Sequence, residues 1–222
     1  MHENRIHLDG PAGNIEAIME IPADMSLRGI ALVAHPHPIG GGANTNKVAH
    51  MLAKTFLSLG YAAFRPNFRG VGMTEGEHDD GAGETDDLMA VLEDAHWRLD
   101  DPERRLPVTL AGFSFGAYCQ TRLARRLRDA GRAAEWLALV GVAAGFIEGA
   151  RAYDAEAVPA DTLIIHGAAD TLVPLANVLT WAEPQNLPVV VIPGADHFFH
   201  RRLTLIRDII VRAWHGRARD AR

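Results

Sequence analysis

The chain has 222 residues, 48% of them hydrophobic, and a formal charge of −6 at neutral pH. That length suits one α/β domain over residues 1–222 with a sizeable core, and the charge excludes the basic footprint expected of a nucleic-acid-binding protein. The lone Cys119 excludes an internal disulfide framework, and no apolar run is long enough to span a bilayer.

The opening MHENRIHLDG lacks the apolar core of a secretory signal, so a cytoplasmic location is expected. Residues 14–21 then alternate apolar and polar side chains, as a strand with one buried face does. The run GIALVA (29–34) is continuously apolar and reads as a strand covered on both faces. Residues 46–59 place Val48, Met51, Leu52, Phe56 and Leu59 on one helical stripe, with Gly60 as the stop. A strand over 61–64 leads into a glycine-rich loop and a helix over about 84–99. The acidic residues Glu84, Asp86 and Asp87 fall at the start of that helix, where its dipole favours negative charge. A strand at 107–111 and a helix over 117–130 follow almost without a gap. Three more strands (136–142, 162–166, 188–192) and a closing helix (203–214) complete the series, and the tail GRARDAR reads as frayed. The predicted fold is therefore α/β: a mainly parallel twisted sheet with helices on both faces and ligand sites at the carboxyl ends of the strands.

Arginine outnumbers lysine 20 to 2. On the 117–130 helix, Leu123 and Leu127 mark the buried face, so Arg122, Arg125, Arg126, Arg128 and the following Arg132 read as a solvated face rather than a polyanion site.

Between the strand at 107–111 and its helix lies Gly112-Phe113-Ser114-Phe115-Gly116. With three serines and 21 glycines in the chain, G-x-S-x-G arises by chance about 0.03 times. In a strand-to-helix context the pattern describes a nucleophile elbow, whose sharp turn leaves no room for side chains two residues either side of the serine. A serine needs a base, and the base needs an orienting acid. In this architecture they follow in the order Ser, Asp or Glu, His. Asp170 lies just past the strand TLIIHG and His197 just past VVVIPG, both at the edge where Ser114 sits. Asp196 and His200 are the rivals. Asp196 adjoins His197 and is poorly placed to face it, while His200 lies three residues beyond.

Acyl transfer also requires backbone donors for the developing oxyanion. The N–H of Phe115 is one candidate. The second should come from the loop HPHPIGGG after GIALVA, where Pro36 and Pro38 have no N–H, which leaves His37 first and Ile39 second. The H-x-H spacing of His35 and His37 also occurs in metal sites, but the flanking prolines and the lack of a nearby acid weigh against it. No metal and no cofactor are expected. Arg69, in the loop RGVGMT, is expected to brace that loop.

The segments HPHPIGGG, NFRGVGMTEG, GFSFG, HGAADTLVP and GADHFF make the chain resemble the α/β-hydrolase superfamily over nearly its whole length, in particular its small lidless bacterial serine hydrolases. The resemblance implies a Ser114, Asp170, His197 triad and carboxylesterase-like activity on a small-molecule acyl ester. Dienelactone hydrolases resemble this fold but use cysteine at the elbow, and haloalkane-cleaving relatives need aspartate there. Only 19 residues (143–161) separate two of the strands, too few for a helical cap. The site is expected to be open and walled by Phe113, Phe115, Phe146, Phe198 and Phe199. A thioesterase or peptidase using the same triad, and a non-catalytic scaffold on the same fold, are the alternatives.

Overall fold

The computed structural model describes residues 3–23, 26–147, 149 and 151–220. A hairpin of β1 (Glu3–Gly10) and β2 (Gly13–Glu20) comes first, followed by β3 (Gly29–Ala34), α1 (Lys47–Ser58) and β4 (Tyr61–Pro66). Next come α2 (Ala82–Arg98), β5 (Val108–Phe113), α3 (Phe115–Asp129) and β6 (Trp136–Val140). The small hairpin β7 (Gly145–Phe146) and β8 (Ala152–Tyr153) precedes β9 (Leu163–Gly167), α4 (Leu175–Ala182), β10 (Val189–Ile192) and α5 (Leu203–Asp220).

Eight strands form one sheet in the order β1-β2-β4-β3-β5-β6-β9-β10, parallel from β4 to β10, with β2 antiparallel to both its neighbours. From β3 the chain crosses to β4 on one side and then to β5 on the other. Their carboxyl-end loops therefore diverge, opening a crevice at the switch point. Ala34 pairs with Gly112, so the loop after β3 starts beside the turn after β5.

Every residue of β3 is buried, as expected for a strand covered on both faces. Ile30, Leu32 and Ala34 share a cluster with Leu88 and Leu92 of α2 and Leu123 of α3. Ala31 and Val33 point the other way, towards Leu52 and Phe56 of α1 and Ile206 and Ile210 of α5. Burying a side chain such as Leu52 or Phe56 contributes about 1.5–3 kcal/mol. α1 begins where Asn46 Oδ1 accepts from the N–H groups of Val48 (2.9 Å) and Ala49 (3.3 Å).

The structure departs from the sequence expectations in several places besides the unpredicted β7–β8 hairpin. β1 has only Ile6 and Leu8 facing inward, too short an alternation to register. α4 lies half out of the core, with only Val178 and Ala182 buried, which blurs its period. The frayed tail is instead helix as far as Asp220, held by Arg217 donating to Glu135 O (2.8 Å) and pairing with Asp161. Residues 221–222 lie outside the described residues. Finally, α3 begins at Phe115, two residues earlier than predicted, because the serine turn itself caps it.

Candidate active site

Ser114 has φ 55° and ψ −119°, a left-handed conformation that a side chain makes costly. Its neighbours hold it there. Its N–H donates to Val140 O (2.9 Å), and its own carbonyl accepts from Tyr118 N–H (3.1 Å) and Ala143 N–H (3.3 Å). A Cβ on Gly112 would lie 2.6 Å from the Ala117 nitrogen and from Gly116 backbone atoms. One on Gly116 would lie 2.5 Å from Ala34 O. The two glycines thus allow the turn and let α3 rest directly on the end of β3.

The turn aims Ser114 Oγ at His197 Nε2, 3.0 Å away. His197 Nδ1 lies 2.7 Å from Asp170 Oδ2, so Nδ1–H donates to the carboxylate and Nε2 is left to accept from the serine hydroxyl. Asp170 Oδ1 accepts from Leu172 N–H (3.0 Å) and Val173 N–H (2.8 Å), an Asx turn that fixes the carboxylate. His166, beneath Asp170, donates from Nε2 to Val173 O (3.0 Å), and burial lowers its pKa. Ser114 and His197 keep 8% and 6% of their surface exposed, enough to meet a small reactant. The rivals Asp196 and His200 pair with each other instead (2.6 Å).

The second half of the site comes from the loop after β3. His35 is buried, its Nδ1–H donating to Pro36 O (2.6 Å) while Nε2 accepts from Phe68 N–H (2.9 Å). Burial lowers its pKa to about 4, so the ring is neutral and ties this loop to the one after β4. With both nitrogens engaged, it is not free to ligate a metal. His37 caps a short 3₁₀ turn, Pro38–Gly40, its Nδ1 accepting from Ile39 N–H (3.2 Å). That bond occupies the Ile39 donor. The N–H groups of His37 and Phe115 have no acceptor among the described residues, and both residues border the space in front of Ser114. Phe115 also opens α3, where the helix dipole favours an anion. Arg69 braces the next loop through two 2.8 Å bonds to Asp87. Glu84 caps the start of α2 by accepting from Gly81 N–H (2.7 Å).

The cleft at Ser114 holds about 400 Å³. Of the aromatic walls expected from sequence, Phe115 and Phe198 border it. Phe113 does not reach it. As the last residue of β5 it points inward, fully buried, with its ring 5.0 Å beneath the imidazole of His197. Phe199 is core as well. Phe146 is 69% exposed and turned away, and its neighbour Ile147 faces the cleft in its place. Tyr153, Leu172 and Val173 complete the apolar wall. Sequence reading missed Ile147 and Tyr153 because their direction is set by the β7–β8 hairpin. Leu172 and Val173 had a signal, since they lie two and three residues past Asp170.

On α3, Arg125 pairs with Glu156 (2.8 Å) and Arg126 with Asp86, while Arg132 just beyond the helix pairs with Glu93 (2.6 Å). No group of three or more His, Cys, Asp or Glu among the described residues could hold a metal ion, and none of their helices is long and apolar enough to cross a membrane.

A parallel sheet, a serine turn at its carboxyl edge and no cap over it are the features of a lidless α/β hydrolase. A lidless α/β serine hydrolase from Xanthomonas campestris superposes with a TM-score of 0.83 at 33% identity, covering 97% of this chain and 95% of that one. An α/β serine hydrolase homologue from Coxiella burnetii gives 0.81 at 36% identity, covering 96% and 97%. The chain belongs to the lidless α/β serine hydrolases. An uncharacterised protein of Rickettsia prowazekii is 38% identical over 122 residues, which make up 55% of this chain and only half of that relative's length. No protein-family model matches the chain.

Proposed function

We propose that this protein is a serine carboxylesterase acting through an acyl-enzyme on Ser114. The observation that carries the reading is the continuous contact from Asp170 through His197 to Ser114 Oγ, at 2.7 and 3.0 Å, facing an open cleft. Ser114 Oγ attacks the ester carbonyl as its proton passes to His197 Nε2, and Asp170 stabilises the imidazolium. The N–H groups of Phe115 and His37 receive the oxyanion. When the tetrahedral intermediate collapses, the acyl–oxygen bond breaks and the alcohol leaves with the proton from His197. Water, deprotonated by the same imidazole, then cleaves the acyl-serine and restores the enzyme. Ile147, Tyr153, Leu172 and Val173 give the acyl group an apolar wall without enclosing it, which favours short acyl chains. The single buried Cys119 fits action in the reducing cytoplasm.

The test is covalent labelling by a fluorophosphonate, with peptide mapping, in wild type, Ser114→Ala and His197→Ala. Stoichiometric label on Ser114 that depends on His197 is the expected result. A folded wild-type protein that takes no label would instead leave the elbow as a tight turn in a non-catalytic scaffold.

A further inference from the structure

Next to the nucleophile cleft lies a second cavity of about 580 Å³, and the two share Gly41, Asn46 and Phe198 as walls. No aspartate or glutamate borders it, although the chain carries 28 of them. It is bordered instead by Lys47 at the start of α1 and by Arg201, with His200 between Arg201 and Phe198 in the chain. Neither Lys47 nor Arg201 has a carboxylate partner among the described residues. This sets them apart from Arg104, Arg125, Arg126 and Arg132, each of which meets a glutamate or aspartate. The nearest acid in the chain, Asp196, is already engaged by the His200 ring and its backbone N–H. Asn46 Oδ1 takes two of the first donors of α1, the N–H groups of Val48 and Ala49, so an anion here would be met chiefly by side chains.

The backbone at this place is unusual too. Phe199 and Arg201 both have positive φ, 53° and 60°. The Phe199 ring offsets that cost by filling the core. Arg201 is exposed, and a glycine would take this conformation more cheaply.

The side of the nucleophile on which the cavity lies fixes what it would hold. The proton on His197 Nε2 must reach the leaving oxygen, so the leaving group lies against that imidazole. The chain that continues from it, Phe198 to Arg201 and then Leu203, walls one side of the second cavity. The acyl group then takes the apolar end beside Ile147 and Tyr153.

We propose that the second cavity is a leaving-group subsite, and that Lys47 and Arg201 select esters whose alcohol carries a carboxylate or phosphate. The proposal rests on the esterase reading. Its test compares the butyrate esters of 3-hydroxybenzoate, 3-hydroxybenzamide and 3-hydroxyphenyl-trimethylammonium, each kcat/KM divided by that ester's rate with hydroxide to remove intrinsic reactivity. In wild type the carboxylate ester leads the amide by roughly three- to tenfold, the reach of two exposed ion pairs, and the lead shrinks as salt is added. In Lys47→Ala/Arg201→Ala the ratio falls towards one, and in Lys47→Glu/Arg201→Glu the cationic ester takes the lead. Equal normalised values in wild type, or a lead that survives in both double variants, would overturn the subsite while leaving the esterase intact. Absence of turnover on all three esters together with absence of fluorophosphonate label on folded protein would remove the esterase reading itself.

Discussion

Asp170 uses each of its oxygens for a different purpose. Oδ1 accepts two backbone N–H groups, and Oδ2 accepts from His197. An asparagine cannot do both. If its carbonyl oxygen takes the backbone donors, its NH₂ faces Nδ1 and forces the imidazole into the tautomer that cannot accept from Ser114. Asp170→Asn should therefore keep the fold and lower kcat on a neutral ester by a factor on the order of 10⁴. A loss of less than tenfold would mean that the carboxylate does not orient the base. Asp196 is a useful control. It is bonded to His200 and lies outside this chain of contacts, so Asp196→Asn should leave the rate within a factor of about two.

At the level of elements, the site depends on how closely α3 approaches the end of β3. Gly116 sits against the carbonyls of Ala34 and His35, which are backbone atoms and cannot swing aside. Gly116→Ala must push α3 off the strand, separating the Phe115 and His37 donors. The expected cost is about 1–3 kcal/mol of stability, with a fall in kcat larger than any change in KM. Unchanged melting and turnover would show that the turn has slack. This approach was legible in the sequence, because the two glycines of the elbow record a steric requirement within a single turn. The proximity of Ser114, Asp170 and His197 was legible for a related reason, as each lies just past a strand and parallel strands bring those ends to one edge. The cleft walls were not. Whether Phe146 or Ile147 faces the serine depends on a two-residue strand pairing, and whether Phe113 points in or out depends on where β5 stops. β1 and α4 escaped notice because each buries only a few side chains on one face, too weak a period to stand out from a loop.

Across the whole molecule, two buried histidines and the half-buried His37 contribute to the response to acid. His35, His37 and His166 all have pKa values lowered by burial, His35 to about 4. The unfolded chain therefore binds more protons than the folded one between about pH 4 and the ordinary histidine value near 6.5, so stability rises with pH across that window and is lost as pH falls through it. For His35 alone the full swing is about 3 kcal/mol. Melting temperatures from about pH 4.5 to 7 should climb in wild type and climb less steeply in His35→Gln, which keeps a donor and an acceptor but does not titrate. Equal slopes in the two proteins would show that His35 is not responsible.

The absence of a cap also bears on how such a protein can change over generations. The walls of the cleft at Ser114 come from the loop after β3, the β7–β8 hairpin, the turn after Asp170 and the segment after His197, and each is rooted in a separate strand end. Replacing Ile147, Tyr153 or Leu172 alters one wall without disturbing the strands that hold Ser114 and His197. The shape of the cleft can thus drift by single substitutions while Ser114 and His197 stay fixed. A gene duplicate of this chain would have many viable first steps towards a new substrate, and few of them would pass through an inactive intermediate.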